Sequence, residues 1–140
     1  MNNEKDNVYD LVEDFYAHDE GWNTLLRQEY AEGFLRMEAW KGKKNSDLYR
    51  SWDNLTMLCL YLGSAETFLG DMNADDFIDC IAWCGRNISE FTPDYKNTQD
   101  FLETCDGLFK YLKGKNAISN DTVPATAAEI LLQEGKMNII

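Results

Sequence analysis

Apolar residues recur at helical spacing through most of this chain. In the first such stretch they occupy positions i, i+3, i+4 and i+7, which line one face of an amphipathic helix; the residues are Val8, Leu11, Val12 and Phe15. No stretch alternates apolar and polar residues over a length that a β-strand needs. The pattern predicts an all-α chain that forms a single compact bundle of about six helices, one domain over residues 1–140.

Glycines and polar cap residues divide the first half of this pattern into helices. Gly21 is expected to break the chain after the first helix, and a second helix is predicted to run from Trp22 to about Trp40. Ser46 is the expected N-cap of a third helix with a wide apolar face. That helix is expected to end or kink at Gly63.

The second half of the chain gives similar start and stop signals. Asn73 is predicted to cap a helix that has Asp76 at its third position, an arrangement known as a capping box. A further apolar stripe predicts a helix that ends near Gly114, and Pro124 suits the first turn of a last short helix.

The chain is strongly acidic, with a formal net charge of −12 at pH 7. Residues 1–39 hold 10 acidic and 3 basic residues, and the one basic cluster consists of Lys41, Lys43 and Lys44. Such a surface repels nucleic-acid phosphates and favours a basic protein as partner. We therefore expect a protein partner rather than nucleic acid.

The sequence also predicts a location in the cytoplasm. The first residues do not resemble a signal peptide, and no segment approaches the roughly 20 apolar residues that a membrane span needs. The four cysteines are accordingly expected to be reduced thiols rather than disulfides.

Possible metal and catalytic groups are few. Residues 71–75 match the first ligand positions of a calcium-binding loop, but Asp76 stands where that loop needs glycine and Ala82 where it needs glutamate. Cys80 and Cys84 are spaced to share one helix face, and His18 is the only imidazole. Because zinc usually needs four ligands, core packing is favoured for the cysteines. No catalytic, cofactor-binding or metal-ligating residue is predicted.

Exposed aromatic and terminal apolar residues are the predicted contact points for a partner. Tyr and Trp are common at the energetic centres of interfaces, and the final residues form an apolar end that could pack onto a partner. The candidate interface residues are Tyr9, Tyr16, Trp40, Ile139 and Ile140.

One segment carries a family resemblance. It contains an acid-capped helix, a loop and a second helix with an aromatic–Leu pair, in Met72–Ile78, Phe101–Leu102 and Leu108–Lys113. In these features residues 71–113 resemble the core-binding, SAM-like helical domain of tyrosine recombinases, which implies a similar packing of helices. Family members hold DNA with basic residues, whereas this segment has nine acidic residues and only four basic ones. DNA binding is therefore not expected from the resemblance.

A non-enzymatic protein-interaction or regulatory module is the favoured function, because a good apolar core and an acidic surface accompany no catalytic motif. Two alternatives stay open. One is an acidic nucleic-acid mimic that inhibits a DNA-binding protein. The other is a metal- or ligand-binding bundle that uses carboxylates with Cys80 and Cys84.

Overall fold

The computed structural model describes residues 7–134. Six α-helices lie in this range, together with two short 3₁₀ helices that follow the first and third of them. The α-helices are α1 (Val8–His18), α2 (Gln28–Trp40), α3 (Asn45–Ala65), α4 (Ala74–Asn87), α5 (Tyr95–Gly114) and α6 (Val123–Gln133), and the 3₁₀ helices are Glu20–Thr24 and Leu69–Asp71. The prediction of an all-α bundle with about six helices is confirmed.

Several helix starts follow the predicted cap chemistry. The side chain of Asn73 accepts a hydrogen bond from the backbone N–H of Asp76 at 2.9 Å, and the Asp76 carboxylate accepts one from the N–H of Asn73 at the same distance. Pro124 lies in the first turn of α6, as expected for a residue without a backbone N–H. Within residues 7–134, no helix is long and apolar enough to cross a membrane.

Three boundaries differ from the prediction. The second helix begins at Gln28, because Trp22 belongs to a separate 3₁₀ helix. The carboxylate of Asp19 caps the N-terminus of that 3₁₀ helix. The third helix begins one residue before Ser46, and Asp47 takes over the expected capping role by accepting the Lys44 N–H at 3.2 Å.

Gly63 does not end the third helix. The helix continues through it to Ala65 and stops at Glu66, whose left-handed conformation (φ 56°) closes the last turn. Gly63 is tolerated in the helix because tertiary packing outweighs its low helix propensity. The stop signal therefore lies three residues further along than the glycine suggests.

Helix α3 lies at the centre of the bundle and packs against α1, α2, α4 and α5. Its buried face packs against large apolar side chains from the neighbouring helices. Between two of these neighbours, the rings of Phe77 on α4 and Phe109 on α5 pack edge to face with their centroids 5.4 Å apart. Leu11, expected on the buried face of α1, is instead 39% exposed, because the core contacts of α1 come from Val8, Val12 and Tyr16.

Candidate functional site

The predicted interface residues fall into different environments. Trp40 is 89% exposed at the end of α2, the largest exposure of any big apolar side chain in residues 7–134. Tyr9 is half-buried, with the guanidinium of Arg36 4.1 Å from its ring centre. Ile139 and Ile140 lie outside the described residues.

Tyr16 is a correction to the predicted interface. Only 2% of it is exposed, and its hydroxyl donates a hydrogen bond to the backbone carbonyl of Leu26. The phenol therefore ties α1 to the start of the next helical segment, which explains why a tyrosine occupies a core position. A residue so deeply buried is not available to a partner.

The cysteines lie in the core and form no disulfide. Cys59, Cys80, Cys84 and Cys105 are all buried free thiols. Burial raises the pKa of the Cys59 thiol to about 12. In the described part of the chain, no three His, Cys, Asp or Glu side chains are grouped closely enough to hold a metal ion.

A groove of about 420 Å³ lies between α3 and the segment that leads into α5. One part of its wall is apolar and includes Met57, Leu60, Ile88 and Phe91. The other part carries the carboxylates of Asp53, Glu90 and Asp100 together with the guanidinium of Arg50. Burial raises the pKa of Asp53, so part of this carboxylate is withdrawn from water.

Two residues that line the groove, Asn54 and Asp100, belong to a polar contact between α3 and α5. The side-chain amide of Asn54 donates to the Asp100 carboxylate at 3.1 Å and to the Thr104 hydroxyl at 2.9 Å. The Thr104 hydroxyl in turn donates to the backbone carbonyl of Asp100 at 3.1 Å. Asn54 and Thr104 are 5% and 6% exposed, so the bond between these two side chains is made away from solvent and helps to fix how the two helices meet.

Next to this contact lies a smaller cavity of about 90 Å³. Its wall includes Glu38 from α2, and the Oε1 atom of Glu38 is the one buried side-chain oxygen or nitrogen in residues 7–134 without a hydrogen-bond partner. Burial raises the pKa of Glu38, while a hydrogen bond from Ser51 and the charge of Lys43 act in the opposite direction. A buried carboxylate oxygen without a hydrogen-bond donor loses its contact with water and gains no replacement, which costs free energy of folding.

The groove and the cavity belong to one continuous surface. Arg50 and Asp100 line both of them. Within residues 7–134 three ion pairs form, and none of them involves Arg50 or Lys43. Carboxylates outnumber cations along this surface, which we call the α3–α5 face. It is defined by the residues that line the groove and the cavity.

Sequence reasoning missed the α3–α5 face, although it leaves a signal. Asp47, Ser51 and Asn54 are spaced i, i+4 and i+7, so they share one side of α3. Asp100 and Thr104 are spaced i and i+4 on α5. A polar stripe on an otherwise apolar helix indicates that its side chains have polar partners inside the protein. Only the fold shows that the partners of the α3 stripe lie on α5.

No protein-family model, curated protein or solved structure matches this chain. The resemblance of residues 71–113 to recombinase core-binding domains therefore stays an expectation about helix packing.

Proposed function

We propose that this chain is a protein-interaction module that binds a basic, amphipathic segment of a partner protein on its α3–α5 face. The groove carries the proposal because it combines apolar lining residues with carboxylates that have no cation within ion-pair distance among residues 7–134. A helix with apolar residues on one side and lysines or arginines on the other complements such a groove. The overall charge of −12 attracts the same kind of partner from a distance.

Other features of the molecule support the same proposal. Trp40, two residues after Glu38 in α2, is 89% exposed, and an exposed tryptophan is a common anchor for a protein partner. The four unpaired, buried thiols suit a reducing compartment, so we propose that the module acts in the cytoplasm. Its role is binding rather than catalysis.

Binding of short synthetic peptides tests the proposal by fluorescence anisotropy. The first peptide places leucine at i, i+3, i+4 and i+7 and lysine elsewhere. The second replaces the lysines by glutamates, and the third replaces the leucines by serines. We expect the lysine–leucine peptide to bind about tenfold more tightly than either of the others, because it alone supplies both kinds of contact. Equal binding of the lysine–serine peptide would favour the nucleic-acid mimic, which needs charge alone.

Substitutions within the groove locate the binding. Leu60→Asp changes an exposed part of the apolar wall, and we expect it to weaken peptide binding about tenfold. Asp53→Asn removes one carboxylate, with an expected loss of about threefold. The matched controls are Leu132→Asp, which is similarly exposed on α6, and Asp79→Asn on α4. If the groove and control variants bind equally, the groove is not the binding surface.

A further inference from the structure

The turn that follows α2 presents an exposed tryptophan on an ordered loop. Trp40 is the last residue of α2 and is 89% exposed. Gly42 follows in a left-handed conformation (φ 103°), which a residue with a side chain rarely adopts. The backbone N–H of Lys43 bonds back to the carbonyl of Glu38 at 3.0 Å. The tryptophan therefore stands on a preformed turn, which lowers the entropic cost of docking it.

Three lysines accompany this tryptophan. Lys41, Lys43 and Lys44 are all exposed, and none of them belongs to the three ion pairs within residues 7–134. We call residues 40–44 the basic turn. It combines one large ring with several ammonium groups, so it has both the apolar and the charged character that the groove of the α3–α5 face complements.

The groove offers matching groups at its surface. Leu60 is 41% exposed and Phe91 extends the apolar lining, while the carboxylates of Asp53 and Glu90 lie on exposed residues of the same groove. The groove volume of about 420 Å³ falls within the roughly 300–1,000 Å³ of pockets that hold small molecules. The groove therefore has room for an indole ring and carries acidic groups for the lysines beside it.

A second apolar groove suits the basic turn less well. It is smaller, at about 260 Å³, and Phe68 contributes to its lining. Among the described residues that line it, Arg27 is the only charged one, so a lysine gains no opposite charge there. Charge complementarity therefore favours the groove of the α3–α5 face for the basic turn.

The basic turn and the groove lie on the same side of the molecule. Lys43 lines the small cavity together with Arg50 and Asp100, and the last two residues also line the groove. The exposure of Trp40 shows that the turn does not fill the groove of its own chain. Two copies related by a two-fold axis can instead exchange their turns, so that one interface contains both contacts.

We propose that two copies of this chain form a reciprocal dimer, in which Trp40 of each copy packs on Leu60 in the groove of the other. The lysines of each basic turn then lie beside the carboxylates of the opposite groove. The contact removes two exposed apolar side chains from water at once. The charge of −12 on each copy opposes association, so we expect a weak dimer with a Kd of about 10–100 µM.

The dimer adds regulation to the binding site, and this part of the inference rests on the proposed function. A second copy and a basic partner segment occupy the same groove, so each excludes the other. At high concentration of the chain the groove is filled by the basic turn of another copy. A partner segment then has to displace that turn, and its apparent affinity falls as the dimer population rises.

Sedimentation velocity over about 5–500 µM protein tests the dimer, and we expect the mass to rise from one chain to two. Trp40→Ala should weaken dimerisation about tenfold or more, because it removes the docked ring. Phe68→Ala is the control, since Phe68 is a 57% exposed aromatic residue outside the contact, and it should change dimerisation less than about threefold. A chain that stays monomeric or grows beyond two copies would overturn the inference. Equal effects of the two substitutions would also overturn it.

A mixture of two variants tests whether Trp40 meets Leu60. The Leu60→Asp copy keeps its Trp40 and the Trp40→Ala copy keeps its groove, so the mixed dimer retains one complete contact, whereas each variant alone retains none. We expect the mixed dimer to be about tenfold tighter than either variant dimer, because removing both partners of a contact costs little more than removing one. An affinity between those of the two variants would mean that the residues act independently, and would overturn the inference.

The lysine–leucine peptide separates this inference from the proposed function. Added to the dimer in the sedimentation experiment, the peptide should return the chain to the monomer, because both ligands use one groove. Peptide binding to a chain that is monomeric at every concentration would overturn the dimer alone. A dimer that depends on Trp40 and Leu60 but does not bind the peptide would overturn the proposed function alone.

Discussion

On both α3 and α5, one face of the helix changes from polar to apolar residues along its length. On α3 the stripe passes from Ser51 and Asn54 to Leu58, and on α5 it passes from Thr104 to Leu108. All five residues are buried, so burial is common to both regions and only the chemistry differs. The polar region holds the helices in one register, because Asn54 finds its acceptors in that register alone, whereas the apolar region supplies most of the stability.

The largest expected effect lies in the apolar region. Leu108 is fully buried, and Leu108→Ala should reduce the free energy of unfolding by about 2–5 kcal/mol through lost burial and the cavity that remains. Urea denaturation measures the change. Leu132→Ala is the matched control, since Leu132 is 39% exposed and should cost less than about 1 kcal/mol. A similar loss for both variants would show that the apolar region is not the main source of stability.

The polar region should give an intermediate effect. Asn54→Ala leaves the Asp100 carboxylate and the Thr104 hydroxyl without their donor, and we expect it to cost about 1–3 kcal/mol of unfolding free energy. A double-mutant cycle with Thr104→Ala isolates the contact between these two side chains. Asn87→Ala is the control, because the exposed Asn87 bonds only to its own helix. A coupling energy near zero would mean that the contact does not fix the register.

The smallest expected effect has the opposite sign. Because burial raises the pKa of Glu38 above the ordinary value of 4.5, the folded state binds this proton more tightly than the unfolded state. The stability associated with the protonated form is therefore present below pH 4.5 and is lost as the pH rises through the folded-state pKa. Glu38→Gln should consequently stabilise the protein at neutral pH, by less than about 1 kcal/mol because the carboxylate is partly exposed to screening solvent.

Thermal unfolding of wild type and Glu38→Gln over a range of pH checks this effect. The difference in stability should grow from acid to neutral pH. Glu103→Gln has the same charge change on the same cavity and is the control. If Glu38→Gln is destabilising at neutral pH, Ser51 and Lys43 stabilise the ionised Glu38 carboxylate by more than its burial costs.

Much of the fold could be predicted from the sequence, because local chemistry determines it. The Asn73–Asp76 cap and the position of Pro124 depend on residues that are neighbours in the chain. The start of α2 could not be predicted in this way, because Trp22 has helical spacing but stacks on Phe15 at 4.7 Å in a separate 3₁₀ helix. That contact is tertiary, and periodicity does not record it.

The candidate site was harder to predict for the same reason. Asn54 and Thr104 lie 50 positions apart in the chain, and nothing in either stripe identifies the other as its partner. Glu38 looks like an ordinary acidic residue near the end of an amphipathic helix, and its importance comes from the neighbours that close around Oε1. The exposure of Trp40 was predictable, since it stands at a helix end before a basic loop.

The buried cysteines allow local opening of the folded chain to be measured by thiol labelling. All four thiols are at most 1% exposed, so a thiol-specific reagent has no target until part of the core separates. Labelling rates at excess reagent then follow the opening equilibrium of each helix that carries a cysteine, in the manner of hydrogen exchange. Cys59 reports on α3, Cys80 and Cys84 on α4, and Cys105 on α5. Mass spectrometry of single peptides then distinguishes local opening from global unfolding without the need to introduce new cysteines.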